Sequence, residues 1–417
     1  MPVIDYLTDF LGIQGFSVVK VEKMIKKERS VIVVSLVHNR SSFLCSGCHQ
    51  KVTTVYDSHW LEVQHLTFWQ HLTFLRFRRY RVNCPRCGIR TEELSFVKVR
   101  GPRVTTHLAH LVSELCKVMT NKAVATFQFL HRHTVKDIDK VAMKKVQENR
   151  PLEGITVLGA DEISVGKGQT YWTMISSLEG PRGPEMLAIV EGRKERSLLR
   201  FWKWFGKERA RGITYAVMDM WKPYYNSFKA HCPSVQIVYD KFHVIQWLLN
   251  ALNDVRKIEL RKASFRFKGL LTGKKFILLS RHAHIRGKAR VALNLLLSAN
   301  RRLLKAYLLK ESFDHLWSYS SRTWARKFFA GWKEQLKWSR LPPYKKFVQM
   351  VEDHLDGILS YCDKKISLGF IEATNLKARN VIRQAYGYRD KEYMKLKVIQ
   401  VCTPWMRRFQ PWELYYP

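Results

Sequence analysis

The spacing of apolar and polar positions changes along this chain and divides it into regions. Short apolar runs cover residues 155–160, 171–176, 186–190, 213–218 and 235–239. Runs of this length predict buried strands, and an amphipathic stretch at 197–205 predicts a helix after the third of them. Three strands, a helix and two further strands indicate an α/β fold whose sheet is covered on both faces.

The first hundred residues have the pattern of a separate β module. Apolar and basic residues alternate over 72–82, which predicts a strand with one face in a core and a row of arginines outside. Residues 30–37 and 60–66 are further predicted strands. A break at 101–103 ends this module.

Helical spacing dominates the rest of the chain. Three short helices around 105–115, 122–127 and 133–138, with a polar turn before the last, are typical of a helix-turn-helix unit; an ordinary helical linker domain fits the same pattern. The pattern turns helical and very basic again from residue 242 to about 359, and a last helix starts near 369. Four tryptophans recur about every two turns and favour a helical core stripe over base-stacking platforms: Trp317, Trp324, Trp332 and Trp338.

Charge narrows the choice of partner. The 417 residues include 72 Lys and Arg against 35 Asp and Glu, and the formal net charge of +37 is spread along the whole length. Such a surface favours a phosphate backbone, because each neutralised phosphate releases counterions. An anionic membrane is the competing partner. We expect no membrane protein, since no apolar run can span a bilayer and no signal-peptide pattern is present.

Two cysteine pairs with the same spacing predict a metal site. Cys45 and Cys48 form one pair, and Cys84 and Cys87 form the other. Four thiolates suit tetrahedral Zn²⁺ and leave no open position for water, so the zinc would be structural. Four structural cysteines without metal, or a redox pair, are the alternatives.

Three carboxylates could carry chemistry in these basic surroundings. Asp161 and Asp219 directly follow apolar strands, and Glu372 lies on a predicted helix. Strand-end carboxylates lie where α/β folds bind ligands, and a cluster of them suits Mg²⁺ or Mn²⁺. Two such ions can activate a water or a 3′-OH at a phosphodiester. Alternation along the strand should point Glu162 to the opposite side from Asp161.

Single positions in this group have simpler explanations as well. Each aspartate taken alone could be a helix cap or a turn residue. Asp240 opens a predicted helix, with His243 one turn later, and capping alone explains Asp240. The Asp-x-x-His pair could also contact metal or DNA near the site.

These residues stand in longer segments that resemble the bacterial insertion-sequence transposases of the ISL-three (ISL3) family, within the DDE group with an RNase H-like core. The resemblance runs nearly end to end. It is carried by the four cysteines, by Lys167, Gly168 and Tyr171, and by segments 159–164, 217–224, 238–244, 372–377 and 383–389.

The resemblance implies roles for the candidate residues. Asp161, Asp219 and Glu372 would be the catalytic triad that binds Mg²⁺ (or Mn²⁺), and Asp240 with His243 would be an accessory pair. Candidate DNA contacts, for which solvated surface charge is an equal alternative at the last three positions, are Arg76, Arg78, Lys136, Asn375, Lys377 and Arg379.

The resemblance also implies a function, that of a cut-and-paste DNA transposase. Such a DDE enzyme binds the terminal inverted repeats of its element, hydrolyses a strand at the end and joins the exposed 3′-OH to target DNA. The expected partners are double-stranded DNA and further copies of the chain, with no small-molecule substrate. The expected location is the cytoplasm, at the bacterial nucleoid.

The predicted organisation follows from these assignments. An α/β, RNase H-like core is interrupted by a large helical insertion and preceded by a zinc-binding β module and a helix-turn-helix. The zinc module covers 1–100 and the helix-turn-helix 101–150. The core and its insertion, with the C-terminal tail at the end, occupy 151–245, 246–359 and 360–417.

Two other functions fit part of this pattern. A zinc-ribbon DNA-binding regulator derived from a transposase would bind DNA without cutting it, and would tolerate loss of a triad carboxylate. A two-metal nuclease would cut without strand transfer, and only its products would distinguish it.

Overall fold

The computed structural model describes residues 3–26, 28–166, 168, 170–367, 369–384 and 389–411. The chain divides into two compact units, one built from residues up to 150 together with those from 405 onward, and the other from residues 151–404. Lys167 and residues 385–388, which belong to the segments that carry the resemblance, lie outside the described residues.

The first unit is built on a mixed sheet that follows a short helix, α1 (Val3–Leu11). The strand order is β1-β2-β6-β5, with β7 also pairing with β6; β2 and β6 are parallel and the other pairs antiparallel. A separate small hairpin joins β3 and β4. The strands are β1 (Phe16–Lys26), β2 (Arg29–His38), β3 (Phe43–Leu44), β4 (Lys51–Val52), β5 (Val55–Gln64), β6 (Leu72–Cys84) and β7 (Gly88–Thr91).

The alternation predicted for residues 72–82 is confirmed in β6. Leu75 and Phe77 are buried in the core of the sheet, and Arg76 and Arg78 lie on the opposite face. Arg79 is the exception to the outer row of arginines. It occupies a core-facing position, where its guanidinium donates to backbone carbonyl oxygens.

Three helices follow the sheet: α2 (Thr106–Leu115), α3 (Asn121–Gln128) and α4 (Arg132–Glu148). Thr105 caps α2, because its hydroxyl accepts a hydrogen bond from the backbone N–H of Leu108 at 3.3 Å. Val112, Val124 and Val135 are fully buried in the core of this small bundle.

The C-terminal tail groups with this first unit, whereas sequence analysis listed it with residues 360–404. A short 3₁₀ turn, Trp405–Arg407, leads into it. The ammonium of Lys117 donates to the carbonyl of Arg408 at 2.8 Å, and the N–H of Gln410 donates to Glu114 at 2.8 Å. These hydrogen bonds tie the tail to the C-terminal end of α2.

The second unit contains a five-stranded mixed sheet in the order β10-β9-β8-β11-β12. The strands β8, β11 and β12 are parallel to one another, and β9 runs antiparallel to both of its neighbours. The strands are β8 (Val157–Ser164), β9 (Tyr171–Glu179), β10 (Glu185–Glu191), β11 (Tyr215–Met218) and β12 (Gln236–Tyr239).

Both faces of this sheet are covered, as continuous apolar strands predict. Alternate residues of β8 point to opposite faces of the sheet. On one face, Leu158 and Ala160 belong to the large core that includes α5 (Glu195–Phe205) and α7 (Lys222–His231). Val157 packs on the other side with Ile371 of α16 (Gly369–Gln384). The short α6 (Lys207–Arg211) and α17 (Lys391–Cys402) complete the helices around the sheet.

An all-helical region separates β12 from α16, as the sequence pattern predicts. Its longest helix begins directly after β12. The helices are α8 (Lys241–Lys262), α9 (Phe265–Leu271), α10 (Lys275–Leu279), α11 (Gly287–Ser298), α12 (Arg301–Phe313), α13 (Arg322–Glu334), α14 (Pro342–Asp353) and α15 (Leu355–Leu359), with 3₁₀ turns at His282–His284, Asp314–Ser318 and Ser360–Cys362.

The predicted tryptophan core stripe is right for two residues and wrong for two. Trp317 and Trp332 are buried, whereas Trp324 is 59% and Trp338 85% exposed. Trp324 and Trp332 share α13, but eight residues at 100° per residue leave their side chains about 80° apart around the helix. Trp317 and Trp338 lie outside that helix on either side, so no single face joins all four.

Within the part of the chain that the structure describes, every helix is too short or too polar to cross a lipid bilayer.

Candidate active site

Three aspartates form a row across the parallel strands of the second unit. Ala160 of β8 is in register with Met218 of β11, which is in register with Tyr239 of β12. The residue that follows each of them is an aspartate: Asp161, Asp219 and Asp240. Because neighbouring strands lie about 4.8 Å apart, the sheet itself sets the spacing of these carboxylates.

The backbone fixes each carboxylate of the row at one oxygen. The N–H of the next residue donates to Asp161 at 2.8 Å and to Asp219 at 2.6 Å. Asp240 caps α8 and accepts from the N–H of Phe242 at 2.7 Å. Each aspartate therefore keeps its second oxygen for another partner. The three side chains, with Ile371 of α16, line a small cleft at this end of the sheet.

His243 lies between two carboxylates of the row. Its Nδ1 is 3.6 Å from Oδ1 of Asp219, and its Nε2 is 3.7 Å from Oδ2 of Asp240. The histidine stands one turn into α8, so the strand-to-helix junction after β12 positions both members of the Asp-x-x-His pair.

Burial makes the carboxylates of the cleft harder to ionise. The pKa of Asp240 is raised to about 6, mainly by desolvation and to a lesser extent by the carboxylates of Asp161 and Asp219, against the hydrogen bond from Phe242 N–H and the effect of His243. Desolvation also raises the pKa of Asp161, although hydrogen bonds from Glu162 N–H and Asn375 oppose this shift. Crowded, partly buried carboxylates are stabilised by a bound cation.

Helix α16 supplies an unexpected partner to the row. The side-chain amide of Asn375 donates to Oδ2 of Asp161 at 2.5 Å, and Asn375 is only 8% exposed. The amide of Asn375 is thus turned into the cleft and engaged by Asp161, and the phosphate contact predicted for Asn375 stays a prediction. Glu372 is exposed in the first turn of the same helix, one turn before Asn375. Lys377 and Arg379 are exposed.

The possible ligand atoms around the cleft lie further apart than those of a closed metal site. Among the described residues, four cysteines are the only group of three or more Cys, His, Asp or Glu side chains whose ligand atoms all lie within 4.8 Å of one another. The structure thus brings Asp161, Asp219, Asp240 and His243 around one cleft, and it places Glu372 at the edge of α16 rather than in their immediate contact.

The donor chemistry of the cleft fits Mg²⁺ or Mn²⁺. The second oxygens of the aspartates are hard ligands of the kind these ions prefer. The Oδ1 atom of Asn375 is buried and, within the described residues, has no hydrogen-bond partner. A buried oxygen without a partner is costly, and a cation or its bound water would satisfy it.

Glu162 faces away from the cleft, in agreement with strand alternation. Its carboxylate accepts from the hydroxyl of Tyr224 at 3.1 Å and pairs with Arg193 at 3.3 Å. Sequence analysis did not single out Arg193. The signal was present, because a Gly-Arg-Lys sequence directly follows β10 at the same end of the sheet as the aspartates.

The four predicted zinc ligands come together in the first unit. All four Sγ atoms of Cys45, Cys48, Cys84 and Cys87 lie within 4.8 Å of one another, and those of Cys48 and Cys84 are 3.6 Å apart. Tetrahedral Zn–S bonds of about 2.3 Å place sulfurs about 3.8 Å apart, so the cluster fits Zn²⁺. The chain reverses direction at each cysteine pair: β4 pairs with β3 around the first pair, and β7 pairs with β6 around the second.

The remaining predicted DNA contacts differ in whether an acidic side chain already pairs with them. Arg76 is paired with Glu62 at 3.0 Å, and Lys136 lies 3.7 Å from Asp137. Arg78 is exposed, with its guanidinium 5.3 Å from the centre of the Trp60 ring. Arg78 is thus the member of this group best placed to meet a phosphate.

Comparisons with known proteins agree with this site. Residues 158–398 match the ISL3 family model of DDE proteins, described as "Transposase", and residues 41–87 match a model described as "zinc-finger of transposase IS204/IS1001/IS1096/IS1165". The chain is 30% identical to the transposase for insertion sequence element IS1001 of Bordetella parapertussis over 391 residues, which are 93% of this chain and 95% of the relative. It is 24% identical to the transposase for IS1557 of Mycobacterium tuberculosis over 408 residues, 86% of each protein.

These matches cover both the sheet with its aspartate row and the four-cysteine module, and they define the class as an insertion-sequence transposase. The chain belongs to the ISL3 family of DDE transposases.

Proposed function

We propose that this protein binds the terminal inverted repeats of its element and catalyses metal-dependent strand cleavage and strand transfer, as in cut-and-paste transposition. The observation that carries the proposal is the row of Asp161, Asp219 and Asp240 across three parallel strands in register. Rigid strand ends hold carboxylates with the precision that phosphodiester chemistry requires.

The architecture supports an RNase H-like core made of two separated stretches. Residues 151–245 supply the mixed sheet, residues 246–359 form the helical insertion, and residues 360–404 return as α16 and α17. Residues 101–150 would be the helix-turn-helix, since three capped helices share one small core. Residues 1–100 would be the zinc module.

The cleft would hold divalent cations through Asp161, Asp219 and Glu372, with Asp240 and His243 as the accessory pair. Bound there, two Mg²⁺ ions supply activation of the attacking hydroxyl and stabilisation of the leaving oxygen. Glu372 lies one helical turn before Asn375, which contacts Asp161, and a change of its side-chain rotamer would bring its carboxylate towards the cleft.

The protein's own groups prepare the cleft for this chemistry. Backbone N–H groups orient Asp161 and Asp219, and Asn375 restricts the second oxygen of Asp161. The ring of His243 lies between Asp219 and Asp240, with one nitrogen facing each carboxylate.

DNA would be recognised by the first unit and gripped by basic residues of both units. The zinc cluster would fix the turns beside β6, which presents Arg78 and Arg76, while α4 carries Lys136. Lys377 and Arg379 on α16 would contact phosphates near the cleft. We further propose that the protein binds the paired ends of the element as an oligomer. It would act on target DNA in the nucleoid.

The test uses the purified full-length protein and labelled duplex DNA that carries the terminal repeat. We expect nicking at the repeat boundary with Mg²⁺, none with EDTA, and none for Glu372→Gln or Asp161→Asn. Binding of the repeat by Asp161→Asn should stay intact, because removing a negative charge near phosphate cannot weaken attraction. Asp254→Asn, at an exposed position on α8, is the matched control.

Tight and specific binding without cleavage, equal in wild type and Glu372→Gln, would replace the proposal with a DNA-binding regulator. Cleavage without joined products in the presence of target DNA would indicate a nuclease. Loss of repeat binding in folded Asp161→Asn would contradict the assignment of the cleft.

A further inference from the structure

Several residues of the motif segments other than the carboxylates converge on one side chain, Arg193. Its guanidinium lies 4.3 Å from the ring centre of Tyr171 and 4.6 Å from that of Trp221. It is also paired with Glu162, the neighbour of Asp161, at 3.3 Å. The proposed phosphodiester chemistry does not use any of these contacts.

The surroundings hold Arg193 rigidly in place. Trp221 Nε1 donates to the carbonyl of Arg193 at 2.9 Å, and the Thr173 hydroxyl donates to the carbonyl of Gly192 at 2.7 Å. Gly192 has φ of +85°, and a Cβ there would lie 2.9 Å from the Ser197 hydroxyl. The turn from β10 into α5 therefore requires glycine and delivers Arg193 in a fixed orientation.

Arg193 borders a cavity of the second unit. The cavity measures about 630 Å³ and lies between the strand ends of β9 and β10, the start of α5, and the facing parts of α16 and α17. Its lining includes the aromatic residues Tyr171 and Trp172, of which Trp172 is only 2% exposed, and the cations Arg193, Lys194, Arg196 and Lys391. Small-molecule sites commonly have volumes of about 300–1,000 Å³.

The cavity carries unbalanced positive charge. Glu191 is the acidic residue among the described lining residues, and it is paired with Lys395 at 2.7 Å; Glu162, next to the cavity, is paired with Arg193. Lys194, Arg196 and Lys391 form no ion pair among the described residues within 4.0 Å. Three cations beside aromatic walls favour a ligand that has both an anionic group and a flat ring.

We infer that this cavity takes a single unstacked nucleotide of the DNA strand that crosses the active site, with its phosphate on the cations and its base against the aromatic wall. The inference rests on the proposed function and adds a second, non-catalytic subsite to it. A duplex is too wide for the cavity, so the nucleotide must leave the base stack.

The position of the cavity favours a strand already engaged by the aspartates. The end of β10 that precedes Arg193 points to the same edge of the sheet as the half of β8 that contains Asp161, with β9 between them, and Asp161 is in register with Met174 of β9, which pairs with Ile189 of β10. Two strand spacings correspond to about 10 Å. A DNA strand can cover that distance within a few nucleotides, so one strand can occupy both sites.

The first experiment measures binding without cleavage. Full-length protein in EDTA is titrated into a fluorescein-labelled oligomer of twelve thymidines, and anisotropy is followed over a range of salt concentrations. For the double variant Lys194→Ala/Arg196→Ala we expect affinity to fall about tenfold and the slope of log K against log salt to shrink by about 1.4, or 0.7 per lost phosphate contact. The control Lys203→Ala/Lys207→Ala removes the same charge from exposed positions outside the cavity and should change affinity less than about twofold.

The second experiment locates the base. The same oligomer with 5-iododeoxyuridine at one position is irradiated with the protein, and the cross-linked peptide is identified by mass spectrometry. We expect attachment at Tyr171, in wild type and equally in Asp161→Asn. Cross-links that map elsewhere, or equal losses of affinity in the two double variants, would overturn the inference.

Further outcomes separate this inference from the proposed function. If thymidine monophosphate displaces the oligomer at matching concentration, the cavity is a free-nucleotide site and the strand assignment is wrong. Cavity cross-links in a protein that never cleaves repeat DNA would remove the proposed function and keep the subsite. Cleavage of repeat DNA without any cross-link in the cavity would keep the proposed function and remove the subsite.

Discussion

The side-chain amide of Asn375 on α16 donates a hydrogen bond to Oδ2 of Asp161 on β8. This contact joins the last helix of the second unit to the first strand of its sheet, although the two residues are far apart in sequence. Both oxygens of Asp161 therefore accept a hydrogen bond, Oδ1 from the N–H of Glu162 and Oδ2 from Asn375.

Asn375→Ala should therefore slow cleavage without unfolding the protein. The variant frees Asp161 Oδ2 to rotate and removes the unpartnered Asn375 Oδ1 from the cleft. Loss of a group that orients a metal ligand costs about 10- to 100-fold in activity or metal affinity, so we expect the Mg²⁺ concentration for half-maximal nicking to rise. Nicking rates over a Mg²⁺ titration measure this.

Asn380→Ala is the matched control for that experiment. Asn380 has the same side chain and lies on the same helix, but it is exposed. It should leave the Mg²⁺ dependence unchanged. An unaltered titration for Asn375→Ala would show that the hydrogen bond to Asp161 has no part in the reaction.

The aspartate row was predictable because it depends on local sequence. Each apolar run ends in an aspartate, and parallel strand ends meet at one edge of a sheet, so Asp161, Asp219 and Asp240 had to come close together once the strands paired. The orientation of α16 is a tertiary property. Asn375 follows Glu372 by three residues in the sequence, but only the packing of Ile371 against the sheet shows that Asn375 is turned inward.

The contacts of Arg193 and the exposure of Trp338 are two further features that the sequence pattern could not predict. Arg193 acquires its role from rings on β9 and at the start of α7, which no spacing along the chain connects. The tryptophan spacing predicts one stripe only if one helix continues through it, and the breaks before and after α13 end that periodicity. Core position then depends on how separate helices pack.

Substitution of two of these tryptophans tests the packing of the helical insertion. Trp332 is 1% exposed and its Nε1 donates to the Leu309 carbonyl and the Ser312 hydroxyl, both at 3.1 Å. Trp332→Ala should lower the free energy of unfolding by about 3–5 kcal/mol, because it leaves a cavity and two unpaired acceptors.

Trp338→Ala provides the contrast, since Trp338 is 85% exposed. Its effect on the same unfolding transition should stay within about 0.5 kcal/mol. Urea denaturation followed by circular dichroism compares the two variants. Similar losses of unfolding free energy in both variants would mean that Trp338, and with it this surface of the insertion, is buried in solution.

Removal of one cysteine tests the zinc cluster. Cys84→Ser should lose most of the bound zinc and unfold the turns beside β6, because metal-binding energy of about 10 kcal/mol or more supports such sites. Zinc content by atomic emission should fall from one ion per chain to near zero, and repeat binding should become nonspecific and salt-sensitive.

The control for zinc loss is Cys232→Ala, which removes a buried thiol from the second unit. It should keep one zinc ion per chain. Full zinc content in Cys84→Ser would refute its assignment as a ligand, whatever happens to DNA binding.

Acid sensitivity of the first unit should depend on His65. This residue is 8% exposed, its Nδ1 lies 2.9 Å from the Thr105 hydroxyl that caps α2, and the ring of His107 is 5.6 Å away. Burial, helped by repulsion from His107, lowers the pKa of His65 to about 4. The folded protein therefore holds His65 neutral at a pH where the unfolded chain, with a pKa of about 6.5, binds a proton.

The sign of the pH dependence follows from that difference. The stabilisation is complete above pH 6.5 and is lost as the pH falls towards 4, because the unfolded state gains the proton first. The loss for this group is about 3 kcal/mol at most. His65→Asn keeps a partner for Thr105 but cannot titrate, so its stability should fall less steeply than that of wild type between pH 6.5 and 4. Urea denaturation of both full-length proteins at half-unit pH steps gives the comparison, and the cysteine ligands contribute equally to both. Parallel curves for the two proteins would show that His65 is already protonated, or already accessible to water, in the folded state.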